Sequence, residues 1–195
     1  MTMPVLTIAN ADFVTPYLVV GGDLAYDDDL AVRQSLEIID AGVTHILDIR
    51  QEADDTGWWA GVEGVDYRSA GIDDAGQAVP ADWFEDVTSW ACDAIDQGGV
   101  VLTHCHMGIN RGPSVGYAVL LRRGWDPVQA LAAIRSARPI AHTWYAEDAL
   151  DWHLDRTGAG ASERDRVIDR LVAWRSENPL DVVRIIREVR TQEAS

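Results

Sequence analysis

A three-layer α/β fold, with a central, mostly parallel sheet flanked by helices and a helical C-terminal extension, is the architecture that this 195-residue sequence predicts. Three observations lead there. Short β-rich runs alternate with segments of helical periodicity, the order that builds a parallel sheet covered on both faces. The run from Val43 to Ile49 is largely apolar rather than alternating, as suits a strand buried on both sides. Beyond Gly158-Ala159-Gly160 the pattern becomes helical only.

Taken in order, Tyr17 to Val20 reads as a strand closed by Gly21-Gly22. From about Asp28 to Ala41 the apolar positions Leu30, Ala31, Leu36, Ile38 and Ile39 keep approximate helical spacing, and Gly42 supplies the stop. The Val43–Ile49 strand follows, then a turn-rich stretch with Gly57, Gly61 and Gly64, then a strand at Val65 to Ser69. Pro80 opens a helix whose Phe84, Val87, Ala91 and Ile95 form one stripe, ending at Gly98-Gly99. Val100 to Thr103 is the next strand. Helices are predicted from Gly112 to Arg122, Pro127 to Ser136 and about Trp144 to Arg156, and in the tail from Ser162 to Ser176 and Pro179 to about Arg190. We expect residues 1–158 to form the α/β domain and 159–195 a helical extension packed on it.

Composition narrows the function. The apolar fraction of 47% with 25% charged residues is that of an ordinary globular chain. No apolar run approaches the roughly 20 residues that span a bilayer. The opening MTMPVLTIANAD lacks the basic segment and long apolar core of a secretory signal. Two cysteines, Cys92 and Cys105, make no disulfide framework, so a reducing cytoplasmic setting is expected. The net charge is -16 and every one of the 16 basic residues is arginine. Such a surface repels nucleic acid and anionic lipid, so neither a nucleic-acid nor a membrane partner is expected.

The chemistry concentrates in VVLTHCHMGINRGPSVGYAVLL. An apolar strand runs into His104-Cys105, five residues follow, and Arg111 begins an apolar helix. Such a strand–loop–helix unit makes an anion cradle: the loop amides can turn inward, and the helix adds the positive end of its dipole. Gly108 lets the backbone curl with no Cβ in the way. Cysteine at the first position gains from the same field, because thiols beside helix N-termini and cations ionise readily. Arginine at the far end can hold two phosphoryl oxygens with its planar fork. The pattern His-Cys-x-x-Gly-x-x-Arg should arise by chance in about 3 of 10,000 chains of this composition.

HCHMGINR resembles the Cys-x5-Arg signature of the cysteine-dependent protein tyrosine phosphatases, and most of all the dual-specificity subfamily. The likeness covers roughly residues 15 to 155, including YLVVGGDL, AGVTHILDI, the Tyr67 strand and ARPIAHTW. It implies a three-layer phosphatase fold, a shallow phosphate pocket, a phosphocysteine intermediate and neither metal nor other cofactor. It makes Cys105 the nucleophile and Arg111 the phosphate clamp, with the amides of His106, Met107, Gly108, Ile109, Asn110 and Arg111 on the phosphoryl oxygens. His104 becomes an orienting hydrogen-bond partner behind the loop. The family's general acid follows the strand tyrosine by seven residues and precedes the helix phenylalanine by ten. From Tyr67 and from Phe84 both rules reach Asp74, with Asp73 the alternative.

One departure stands out. The family places Ser or Thr directly after the arginine, to help release phosphate from cysteine, whereas here Gly112-Pro113-Ser114 follows. Either Ser114 reaches the sulfur from another register, or the protein is a catalytically weak phosphate-binding module. The loop lacks the extra cations of phosphoinositide phosphatases. Its Gly-x-Asn-Arg ending is similar to RNA 5′-triphosphatases, against which the acidic surface argues. The expected substrate is a phosphotyrosine, phosphoserine or phosphothreonine protein, with a small phosphomonoester as alternative.

Other residues invite structural readings first. Asp48 and Arg50 suit an ion pair more than a pocket mouth, and Arg138 suits a helix cap more than substrate binding. His104, Cys105 and His106 have no second Cys/His pair at zinc spacing. Cys92, Trp83, Trp90, Trp125 and Trp152 read as packing residues, as do Trp58-Trp59 under their loop. The tail stripes Val167, Leu171, Trp174 and Val182, Ile186, Val189 suggest docking on the body, with Arg184 and Arg187 a basic face that could serve a partner.

Overall fold

The computed structural model describes residues 3–193, without the side chains of residues 192 and 193. The outermost positions of the two expected units, 1–2 and 194–195, lie outside the described residues. Five strands, β1 (Ala11–Thr15), β2 (Leu18–Gly21), β3 (His45–Arg50), β4 (Asp66–Ile72) and β5 (Val101–His104), form one sheet in the order β1-β2-β5-β3-β4. Strands β2, β5, β3 and β4 run parallel, and β1 lies antiparallel on the edge against β2.

Alternation along the strands feeds two apolar layers. Leu18, Val20, Leu47, Ile49 and Val101 face a core shared with helices α3 (Ala81–Asp96), α4 (Arg111–Arg122), α5 (Pro127–Ala137) and α6 (Ala146–Thr157). Val19, Ile46 and Leu102 face the opposite layer, with Phe13 of β1, Ile38 of α1 (Asp28–Asp40) and Trp59 of the short α2 (Thr56–Trp59). The three-layer architecture is the one predicted. Helix α4 is buried over nearly its whole circumference, which explains its apolar composition on every face. It approaches the sheet at Gly116, where a Cβ would come within 2.7 Å of Val20 Cγ1.

Two elements escape the sequence reading. β1 is a five-residue edge strand interrupted by Asp12, and its pairing with β2 rather than its composition makes it a strand. α2 is one turn held by the burial of Trp59 and by Trp58 Nε1 donating to Ser35 Oγ of α1 at 2.9 Å. Both tryptophans therefore pack, as expected. β4 continues past Ser69 to Ile72, and α6 begins at Ala146 instead of Trp144. The tail forms α7 (Ala161–Glu177) and α8 (Val182–Glu193), the latter starting three residues after Pro179. α7 buries Leu171 and ties down through Arg175, which donates to Thr143 O at 2.7 Å, and Arg170, which pairs with Asp126 at 2.9 Å. No described helix is long and apolar enough to cross a membrane.

Candidate active site

The carboxyl ends of the parallel strands meet at one edge, where ligands of open α/β sheets bind. β5 lies between β2 and β3 and delivers Cys105, which is buried with 2% of its surface exposed. Residues 105–110 curl over the Gly21-Gly22 turn that ends β2. At Gly108, where φ is +65°, a Cβ would lie 2.5 Å from Gly21 C and 2.6 Å from Gly22 N, so any larger residue would lift the loop.

The carbonyls of residues 106–109 are engaged on the loop's outer side. His106 O accepts from Asp23 N–H at 2.8 Å, Ile109 O from His142 N–H at 2.7 Å, Met107 O from Arg138 Nη2 at 3.1 Å and Gly108 O from Arg138 Nε at 2.6 Å. In a trans peptide the N–H points opposite to the C=O, and no peptide here is cis. Turning the carbonyls of 106–109 outward thus turns the N–H groups of 107–110 inward. Among the described residues none of those four N–H groups has a backbone acceptor. Arg138 caps the C-terminus of α5 as expected, its backbone N–H donating to Ile134 O at 2.8 Å, and its side chain is the outer brace of the loop, itself held by Asp12 Oδ2 at 2.8 Å and Asn10 Oδ1 at 2.6 Å.

Arg111 follows as the first residue of α4, with 4% of its surface exposed. Its end-on fork is filled by Glu52, whose two oxygens accept from Nη1 at 2.7 Å and Nη2 at 2.5 Å, and Nη1 also donates to Ile72 O at 2.9 Å. Asp74 stands at the other side of the guanidinium. Nε is buried without a hydrogen-bond acceptor among the described residues and lies 3.4 Å from Asp74 Oδ2. Asp74 is fixed from the other side by Asn110 Nδ2, which donates to Oδ1 at 2.5 Å, while Asn110 Oδ1 accepts from Trp144 N at 2.6 Å. That last bond explains why α6 starts late: Trp144 is held at the loop, after Thr143 at a φ of 53°. Of the two candidate acids, Asp74 lines the cavity with Cys105, whereas Asp73 contributes its carbonyl to Tyr145 Oη at 3.2 Å and Gln77 Nε2 at 2.7 Å.

Glu52 and the side chain of Asn110 are the residues that sequence reasoning missed in these roles. Glu52 sits in a polar loop with no local pattern, and only the fold brings it to Arg111. Hydrogen bonding to that guanidinium holds the Glu52 carboxyl down at about 2, against an ordinary 4.5. A depressed folded-state pKa stabilises above the unfolded value and loses that contribution as pH falls through the folded one. The thermal stability gap between wild type and Glu52→Gln should therefore be full above pH 4.5 and close as pH falls through about 2. Glu52 is half exposed, so the gap should be about 1 kcal/mol or less. Thermal melts across pH check this, and a gap that widens in acid would refute it.

His104 ends β5 directly before the loop and is buried there. Its Nε2 lies 3.8 Å from Asp48 Oδ1, too far for a hydrogen bond. Burial holds the ring below its ordinary pKa, with Asp48 opposing. Asp48 and Arg50 form the expected ion pair at 2.5 Å, and Arg50 also reaches Asp23 at 2.5 Å and Asp55 at 2.7 Å. Asp48, Asp55 and His104 place ligand-type atoms within 4.8 Å of one another, and the Arg50 guanidinium already bonds to both of those carboxylates. This network staples the loops after β2 and β3, one of which carries Asp23 to the His106 carbonyl. At Gly112 a Cβ would lie 2.9 Å from His104 Cα, so the β5 backbone occupies the room a serine there would need. Ser114 is buried and its hydroxyl donates to Asn110 Oδ1 at 3.4 Å instead of the sulfur. Cys92 is a free core thiol, and burial pushes its pKa up.

A cavity of about 500 Å³ opens over the loop, lined by Asp74, Cys105, Met107, Asn110 and Arg111 together with residues of α8.

No protein-family model matches the chain. A curated relative from Dictyostelium discoideum, described as "Probable rhodanese domain-containing dual specificity protein phosphatase", is 31% identical over 112 residues, spanning 57% of this chain and 21% of that protein. The chain thus covers about a fifth of the relative's length. Human DUSP28 superposes with a TM-score of 0.64 at 20% identity, covering 76% of this chain and 99% of the other. PTPMT1, solved in complex with PI(5)P, gives 0.64 at 16% identity over 76% and 97%. A human tyrosine phosphatase-like serine/threonine/tyrosine-interacting protein gives 0.61 at 18% identity over 75% and 97%. These likenesses show the fold: the chain shares the architecture of solved dual-specificity phosphatases.

Proposed function

We propose that the chain is a phosphatase that hydrolyses phosphomonoesters through a phosphocysteine intermediate. The observation that carries this reading is the set of inward N–H groups of residues 107–110 between Cys105 and the Arg111 Nε, which has no hydrogen-bond acceptor among the described residues. Three phosphoryl oxygens can bond there, which places phosphorus over Sγ. The Cys105 thiolate attacks, the P–O ester bond breaks, and Asp74 gives its proton to the leaving oxygen. The Asp74 carboxylate then takes a proton from the water that attacks phosphorus, releasing inorganic phosphate and the thiolate. His106, Met107, Gly108, Ile109 and Asn110 serve through their backbone, and Arg138 positions that backbone from outside.

Phosphotyrosine, phosphoserine or phosphothreonine in proteins is the proposed substrate class, in a reducing cytoplasm. PTPMT1 shares the fold and was solved with a phosphoinositide, but here the cradle gains no lysine and the chain carries a charge of -16, both unfavourable to anionic lipid. One observation favours a second reading. Ser114 points at Asn110 and not at Sγ, so release of phosphate from Cys105 is slow or fails, and the protein acts as a phosphate-binding module.

Phenyl phosphate assayed in excess chelator separates the two. The phosphatase reading expects steady turnover that vanadate abolishes. A single stoichiometric burst of phenol with no steady phase favours the binding module, and steady turnover that disappears with chelator overturns the thiol mechanism.

A further inference from the structure

Helix α8 lies beyond the segment that resembles the phosphatases, yet Val182, Ile186 and Arg190 line the same cavity as Cys105, Asp74 and Arg111. Its apolar positions Val182, Ile185, Ile186 and Val189 are only half buried, so the helix does not seal itself into a core. Met107, His142 and Trp144 line the cavity as well. The two rings lie 5.5 Å apart and are tilted by only 30°, and Trp144 is 58% exposed. Aromatic and aliphatic side chains thus line the same cavity as the loop. The volume of about 500 Å³ falls within the roughly 300–1,000 Å³ of small-ligand sites.

Charge adds a second requirement. In a chain where acidic groups outnumber basic ones two to one, most arginines near the site are paired, as Arg50, Arg111 and Arg138 are. Arg190 has no ion pair with any described residue and stands exposed at the cavity wall. A guanidinium without a carboxylate partner, set beside an apolar slot, fits an anionic group at the far end of the occupant.

We propose that α8 is a specificity wall, and that the site takes aryl phosphomonoesters whose ring lies between Trp144 and Ile186 and whose second anionic group is received by Arg190. The inference rests on the phosphatase reading of the loop and adds the substrate's non-reacting half to it. It assigns α8 to binding, in place of simple docking on the body.

Binding separates it from turnover. Full-length Cys105→Ser, which keeps the cradle, is titrated calorimetrically with inorganic phosphate, phenyl phosphate and 4-(2-carboxyethyl)phenyl phosphate. The carboxylated ester should bind about 10-fold more tightly than phenyl phosphate, the worth of one charge-assisted hydrogen bond. Adding Arg190→Gln should erase that preference, and adding Ile186→Ala should weaken both aryl esters relative to inorganic phosphate. Equal affinity for the two aryl esters, or a preference that survives Arg190→Gln, overturns the proposal. Tighter binding of all three probes after Ile186→Ala also overturns it, because α8 would then be a cover. Preferential binding without any wild-type turnover of phenyl phosphate sinks the phosphatase reading and leaves this one standing.

Discussion

Exchanging Cys105 for serine should lower kcat for phenyl phosphate by on the order of 10⁴-fold or more, since loss of a covalent nucleophile costs roughly 10⁶ in a serine protease. The hydroxyl is nearly isosteric but is not ionised near neutral pH. The inward amides of 107–110 and Arg111 are untouched, so phosphate and vanadate should bind about as before. Turnover and ligand affinity must therefore separate. If wild type and Cys105→Ser hydrolyse the ester at equal, slow rates, Cys105 is not the nucleophile.

The second large effect belongs to Asp74. Asp74→Asn keeps the contact with Asn110 and removes the transferable proton, so kcat for phenyl phosphate should fall by roughly 10²-fold or more, the ordinary scale of general acid catalysis. The deficit should shrink for 4-nitrophenyl phosphate, whose leaving oxygen needs less help. Asp73→Asn should change little, because the backbone carbonyl of Asp73, not its carboxylate, takes part in the loop's hydrogen bonds. A reversed ranking of the two variants would move the acid to Asp73. Equal deficits on both esters would assign Asp74 to holding Arg111 through the 3.4 Å contact with Nε.

Much of this site is legible along the chain because its central part is local. Cys105, the loop and Arg111 are seven consecutive residues between a strand and a helix, and backbone geometry does the rest: glycine at 108 and a helix start at 111 suffice to make a concave turn. The layers are legible for a similar reason, since periodicities of 2 and 3.6 record which face each element buries. Asp74 is reachable through spacing to Tyr67 and Phe84, but its ties to Asn110 and Arg111 are not, because they join residues more than thirty positions apart.

The sequence alone therefore determines the fold class and the concave loop from Cys105 to Arg111, both set by short-range covalent order. Tertiary structure decided what surrounds them. It placed Glu52 on the outer fork of Arg111, put the Arg138 guanidinium against the loop carbonyls, left no space beside Gly112 for a hydroxyl, and brought α8 to the mouth of the cavity. Each of these depends on which strand ends lie side by side, and that order, β1-β2-β5-β3-β4, is fixed by burying the sheet between two apolar layers, a global packing condition that no local pattern of residues encodes.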